Sequence, residues 1–457
     1  MGSSELGGLF ELDKQRPAWM AIRAENFASR TTDTSPQTAA NHDYACESSM
    51  ARYSPTATDR WIVLLTLLLA RFALGFQFQS AGSTTSFLIT DFATNYKWAG
   101  LFIGLFMLPG VVLAIPSGYL GRRFGEKRLV LCGLGLMLVG GLMATFAGSQ
   151  EMLLISRVVC GTGATFLFVL MTKMIFDWFD RRTLFFVFSL FVLGWPVGIA
   201  AGQAIQPAIA EMHSWRLVFY LSAMLSGAAF IAVTFFYRSP RDVRRPLADG
   251  SGRPAAVEPR SRLSGSEIWQ VNVAGVIWMC LNAAYVIVIS FGPVLLLERG
   301  LDVNDANLAV SLVSWSFIIA LPAGGYIAYR ANVPNSVMLV GLGVSAMTCA
   351  ALPYFGSSYV MFALLGLSLA FACPVVATLP AQFLKEENRA VGLGIYFAWH
   401  FVGAATLPTL AGKLKDVTAS AAPCLIFAAL LLAVCLLGVG LLRPGEASRA
   451  SSSWRPT

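Results

Sequence analysis

The sequence predicts an all-α membrane protein: twelve transmembrane helices in two pseudo-symmetric six-helix bundles. Three observations carry that expectation. Hydrophobic residues make up 56% of the chain and charged ones only 13%, against a charged share of about 25% in soluble domains. About twelve stretches reach the roughly 20 apolar residues that a bilayer crossing needs, and lipid leaves no partner for free backbone polar groups, so each must be a helix. Finally, the longest polar interruption after the N-terminal region, residues 238–267, falls after the sixth stretch and divides the set evenly. The net charge of +8 follows the same layout, since cations gather at the ends of the apolar stretches. Topology explains the basicity, and no nucleic-acid partner is implied.

Residues 1–58 are polar and mixed in charge, with no signal-peptide core, and are expected to form a disordered cytoplasmic tail. The N-terminal bundle is expected over 59–237. Its first and second spans, 61–88 and 98–119, leave 91–96 as an outside loop. The second and third spans (129–147) are joined by Gly121-Arg122-Arg123-Phe124-Gly125-Glu126-Lys127-Arg128. So many cations in one short loop are held on the cytoplasmic side, which fixes the orientation of every other span.

The spacing Gly118-x-x-x-x-Arg123-x-Gly125-x-Lys127-Arg128 resembles the cytoplasmic loop signature between the second and third helices of the major facilitator superfamily of secondary transporters. The resemblance implies a gating role for Gly118, Arg122, Arg123, Gly125, Lys127 and Arg128. One position departs: the family pattern has Asp where this chain has Arg122. In the family that carboxylate helps latch the cytoplasmic ends of the two halves, so the usual latch chemistry is changed here.

Spans four to six are expected at 152–176, 184–206 and 215–237, followed by a flexible cytoplasmic linker over 238–267 with seven arginines and several Pro and Gly. The C-terminal bundle, 268–442, holds spans at 268–297, 307–329, 336–355, 360–384, 390–412 and 421–442, and 443–457 form a second cytoplasmic tail. Lys413 and Lys415 fall outside and run against the charge rule. Two echoes support duplication. Pro116-Ser117-Gly118-Tyr119-Leu120 is echoed by Pro322-Ala323-Gly324-Gly325-Tyr326-Ile327, and Trp195-Pro196-Val197-Gly198 by Trp399-His400-Phe401-Val402-Gly403. The segment Thr172-Lys173-Met174-Ile175-Phe176-Asp177-Trp178-Phe179, with Trp195-Pro196-Val197-Gly198 after it, is similar to carriers grouped with the cyanate and nitrate porters, an anion-symporter branch.

A charge in mid-span costs about 2.5–3.5 kcal/mol, so it faces a cavity or a partner. Arg71 lies near the middle of span one with Gly75, Gln79 and Gly82 following on its face, and is the expected substrate-binding cation. The competing readings are a structural cation bonded to carbonyls and one that snorkels to the interface. Arg157 precedes a glycine run in span four. Helices one and four both present cations in several anion-carrying branches of the superfamily, so the resemblance implies a second substrate contact or gate. Lys173 is expected to snorkel. His400 is placed to bond an anion or take up a coupled proton, or to sit as a satisfied core histidine. Asn282 joins Gln79 as an expected polar contact, whereas Asn272, Gln203, Gln206, Tyr285, Trp195, Trp315 and Trp399 either line a cavity or glue helices together.

No Asp or Glu stands at mid-span depth. A site with cations and no acid prefers an anion, because Arg offers a forked donor matched to carboxylates. The chain is therefore read as a secondary transporter of a small anion, monomeric in the lipid bilayer of a cell membrane, in a bacterial inner membrane by its resemblance, with both termini cytoplasmic. The alternatives are an exporter of hydrophobic or cationic compounds, which would recruit acids such as Asp91 or Asp177 from span ends, and a receptor that binds without net flux. No metal-ligand cluster, nucleophile motif or phosphate loop points to an enzyme, and no cofactor is expected. The eight cysteines contain no CxxC pair and read as packing residues.

Overall fold

The computed structural model describes residues 57–442 except 180, 239–262, 332, 356–358 and 386–387. Nearly all of the expected N-terminal tail, most of the linker and the C-terminal tail lie outside the described residues. The described residues form helices and short connections. In the first bundle these are α1 (Ala57–Ser83), α2 (Thr85–Phe92), α3 (Tyr96–Leu105), α4 (Leu108–Phe124), α5 (Glu126–Thr145), α6 (Gln150–Trp178), α7 (Arg181–Met212) and α8 (Trp215–Phe236). The second holds α9 (Gly265–Leu297), α10 (Val303–Trp315), α11 (Phe317–Arg330), α12 (Pro334–Phe355), α13 (Tyr359–Phe383), α14 (Arg389–Thr418) and α15 (Ala422–Leu441). Taking α3 with α4 and α10 with α11, 11 spans are apolar and long enough to cross a membrane. The twelfth expected span is α7, whose 32 residues reach about 48 Å at 1.5 Å per residue.

Local chemistry explains the ends. Asn95 accepts from the Trp98 N–H, Ser149 from Met152 and Asp302 from Asp305, at 3.1, 3.3 and 2.7 Å. Each cap satisfies an amide that a helix N-terminus leaves without an intrahelical partner. Ser264 and Glu267 close a reciprocal capping box at the start of α9. Gly125 carries the turn into α5 at φ +92°, a backbone region that side chains other than glycine rarely enter.

The second span of each bundle is broken in the corresponding place, between Leu105 and Leu108 and at Ser316. Pro109 supplies no amide in the first turn of α4. In the other bundle the Ser316 hydroxyl donates back to the Leu312 carbonyl at 2.7 Å, a bond that bends helices. Different residues thus produce one architecture twice.

The two bundles meet along α3 with α14 and α10 with α7. Glycines set the first contact: a Cβ on Gly100, Gly104 or Gly412 would overlap the carbonyl oxygen of Pro408, Ala405 or Tyr96 respectively. Polar contacts reinforce the same end. Asp416 accepts from the backbone N–H groups of Tyr96 and Lys97 at 2.9 and 2.8 Å, a carboxylate capping a helix of the other bundle. Asn304 donates to Glu211, and the Gln203 amide donates to the Ile289 carbonyl at 2.8 Å.

Helix α14 runs six residues past the expected end at 412, to Thr418. That extension removes the anomaly of Lys415. It is buried, pairs with Glu298 at 2.7 Å and lies 4.9 Å over the Tyr96 ring, so it belongs to a contact cluster and not to a free outside loop. Span one likewise ends earlier than expected, at Ser83, and continues as the separate α2.

Candidate functional site

Arg71 stands on the face of α1 that packs against α7, where helix backbones come unusually close. A Cβ on Gly75 would overlap the Trp195 carbonyl oxygen, and one on Gly198 the Phe72 carbonyl. Gly75 is therefore a packing contact, and the face it shares with Arg71 is in that part a helix seam. Close approach brings Phe191 of α7 to 4.6 Å from the Arg71 guanidinium carbon, and Phe168 of α6 lies at 5.3 Å. Both rings sit within the roughly 6 Å over which an aromatic face attracts a cation. Arg71 is buried, yet its Nε and Nη1 have no hydrogen-bond partner. A buried guanidinium held by rings, with two donors unspent, departs from the rule that buried polar groups are hydrogen-bonded.

Ring contacts continue from there across the bundle boundary. Phe168 contacts Trp195 at 4.9 Å and Phe401 of α14 at 6.3 Å between centroids. Phe401 adjoins His400 at 5.3 Å, and His400 adjoins Trp278 of α9 at 6.1 Å. Tyr396, stacked on Trp278 at 5.8 Å, spends its hydroxyl on the Val376 carbonyl. By contrast, the Trp278 indole nitrogen and His400 Nδ1 are buried without partners. Arg71 and His400, distant in sequence, are thus linked by a chain of ring contacts.

Arg157, expected as a second substrate contact or gate, is bonded within the fold. Its Nε donates to the Phe102 carbonyl at 3.1 Å, Nη1 to Gln77 at 3.1 Å and Nη2 to Phe78 at 3.0 Å. All three nitrogens are engaged, tying α6 to α1 and α3. Nearby, Gln77 donates to the Met137 carbonyl and accepts from Ser226, at 2.8 and 2.7 Å, which joins α5 and α8 to the same hub. Arg157→Gln is expected to destabilise the purified protein by roughly 3 kcal/mol, the lower end of the cost of breaking a buried charged network. A drop in melting temperature checks this; an unchanged melting temperature with lost uptake would return Arg157 to the substrate.

Gln79 is buried with its amide nitrogen unpartnered, whereas Asn282 donates to the Trp278 carbonyl at 2.7 Å, a bond within its own helix. Gln206 donates to the Phe76 carbonyl at 2.8 Å and Asn272 accepts from Trp399 Nε1 at 2.9 Å, so both act as helix glue. Lys173 pairs with Glu126 and lies 3.7 Å from Asp177, in place of snorkelling alone. The expected loop over 121–128 shrinks to Gly125 between α4 and α5, and in the first turn of α5 Lys127 donates to the Thr234 and Tyr237 carbonyls at 2.9 and 2.7 Å and so caps the end of α8. Arg123 and Arg128 are exposed, and a Cβ on Gly118 would meet open space; the Arg122 side chain lies outside the described residues. Among the described residues no group of three or more His, Cys, Asp or Glu is placed to hold a metal ion.

Trp278, Phe168 and Phe191 were not singled out from the sequence. Mid-span aromatic residues abound in this chain, and only Trp278's unspent N–H, visible in three dimensions, separates it from packing.

A family model described as Major Facilitator Superfamily matches residues 67–303 and, again, 274–456. Among curated proteins, the inner membrane transport protein RhmT of Escherichia coli is 23% identical over 410 residues, covering 82% of this chain and 91% of its own. The 3-(3-hydroxy-phenyl)propionate transporter of the same organism is 23% identical over 375 residues, covering 80% and 90%. Among solved structures, an inward-facing, unoccupied bacterial homologue of the human lysosomal transporter Spinster matches with a TM-score of 0.68. It is 15% identical and covers 88% of this chain and 100% of that one.

Proposed function

The chain belongs to the major facilitator superfamily, and from that premise we propose that it carries a small organic anion across the bilayer by alternating access, with Arg71 holding the carboxylate. Membrane transport is common to the family; the anion and the site are our reading. The observation that carries it is the Arg71 guanidinium, buried, flanked by two rings and short of acceptors for Nε and Nη1. Among the described residues it makes no ion pair, so its positive charge is uncompensated until an anion arrives. The relative named for a phenylpropionate supports an organic acid, and an aromatic wall beside the cation suits such a body.

Loop charge supports an orientation in which the end closed by Asp416, Gly100 and Gly104 faces outside. The opposite end carries Arg123, Lys127 and Arg128, the bias that holds a loop in the cytoplasm. Both termini then lie in the cytoplasm.

The test is thermal stabilisation of purified protein by cyanate, nitrate, monocarboxylates, dicarboxylates and sugar acids. A ligand at about a hundred times its dissociation constant adds about 2.7 kcal/mol to the folded state. Stabilisation by carboxylates is expected. Stabilisation by a lipophilic cation, with none from any anion, would overturn the anion reading and select an exporter of cationic compounds.

A further inference from the structure

A proline inside a helix has no amide to give the carbonyl four residues before it. Pro293 stands inside α9 and so leaves the Ile289 carbonyl without its helical donor. The donor it has instead comes from the other bundle. Gln203 of α7 gives its Nε2 hydrogen to the Ile289 oxygen at 2.8 Å, with Asn307 Oδ1 of α10 at 3.5 Å from the same nitrogen. The same chemistry recurs inside the second bundle: Pro380 frees the Val376 carbonyl of α13, and the Tyr396 hydroxyl of α14 donates to it at 2.9 Å. That bond stays within one bundle, whereas the Gln203 bond ties two together.

Gln203 and Ile289 lie about two turns before the ends of α7 and α9. Those ends belong to the closed side, where Asn304 donates to Glu211 and Lys415, next to Asp416, pairs with Glu298. Closure is not free for the amide. Gln203 is buried with its Nε2 bonded, but its Oε1 has no partner. A buried acceptor without a donor costs free energy, and a seam that parts lets water reach both ends of the amide and the carbonyl it held. One good bond thus works against one unsatisfied atom, which makes the contact releasable. We propose that Gln203 is the clasp of the closed end, bonded to the carbonyl that Pro293 frees while the bundles are shut and released when they part. This rests on the alternating access proposed above and adds a residue that sets its balance.

The test reads the separation of spin labels at Glu151 and Tyr354, exposed residues at this end of opposite bundles, in purified protein. It is run in wild type and in Gly104→Leu, where a side chain forced against the Ala405 carbonyl populates the open form beside the closed one. Adding Gln203→Leu leaves the Ile289 carbonyl buried without a donor while the end is shut, and is expected to raise the open-to-closed ratio at least about fivefold. Pro293→Ala restores an amide to α9, and on that background Gln203→Leu is expected to change the ratio by less than about twofold. Gln206→Leu is the control. It alters the same residue type in the same helix, but one bonded at 2.8 Å to the Phe76 carbonyl of its own bundle. A lower melting temperature with an unchanged ratio is expected there. An unchanged ratio in Gln203→Leu, an equal shift in Gln206→Leu, or a shift that survives Pro293→Ala overturns the clasp. If the labels separate in Gly104→Leu while Gln203→Leu adds nothing, alternating access stands without it; if no variant separates them, both fall.

Discussion

Replacing Arg71 with Gln is expected to lower carboxylate uptake at least about a hundredfold while the protein reaches the membrane at wild-type abundance. A paired buried charge that loses its partner costs roughly 3–5 kcal/mol, a factor of hundreds to thousands in affinity. In the proposed function the partner is the substrate, so the loss falls on binding. The fold has less at stake, because Nε and Nη1 bond nothing within it and the rings of Phe168 and Phe191 stack on Gln as on any apolar stem. Arg71→Lys separates charge from shape. It keeps the cation but loses the planar fork that matches a carboxylate, so uptake is expected between that of Gln and wild type. Uptake in membrane vesicles, corrected for protein by immunoblot, reads both. Wild-type uptake in Arg71→Gln would remove Arg71 from the site.

What the sequence made legible was whatever the bilayer charges heavily for. Mid-span charge is costly enough that Arg71 stood out against apolar neighbours, and the apolar stretches followed the helices to within a turn in most places. The same cost did not separate Arg71 from Arg157. Both are buried cations in mid-helix, and what divides them is that three carbonyls from two other helices meet one and none meets the other. Those carbonyls belong to Phe102, Gln77 and Phe78, and no side-chain pattern announces them. Lys415 misled for a related reason: its partner Glu298 caps the end of another helix, so hydropathy ended the span before the charges that extend it. Trp278 was hidden among apolar positions because an unspent N–H has no signature in one dimension.

The proposed alternating access makes a paired prediction along the second span. Gly104→Leu is expected to push the bundles apart at the end now closed, because even its Cβ would overlap the Ala405 carbonyl oxygen, which is backbone and has no rotamer to retreat into. Overpacking of this kind costs typically 1–3 kcal/mol, about the coupling that separates two conformers of a carrier, so the population shifts by roughly tenfold or more. Asp416 opposes that shift, since its carboxylate holds the first amides of α3 from the other bundle. The leucine therefore has to break this cap as well as the helix contact. Gly118→Leu is the mirror experiment. A side chain there meets open space in this state, so it is accommodated now and obstructs only when the other end closes. Both variants are expected to slow transport at least about tenfold, with opposite conformational bias. Spin labels at Glu151 and Tyr354, both exposed and on opposite bundles, read the closed end. Gly104→Leu is expected to lengthen their separation, and Gly118→Leu to keep the short one even with substrate present. The same distance distribution in both variants would mean that the bundles do not rock about the site between them.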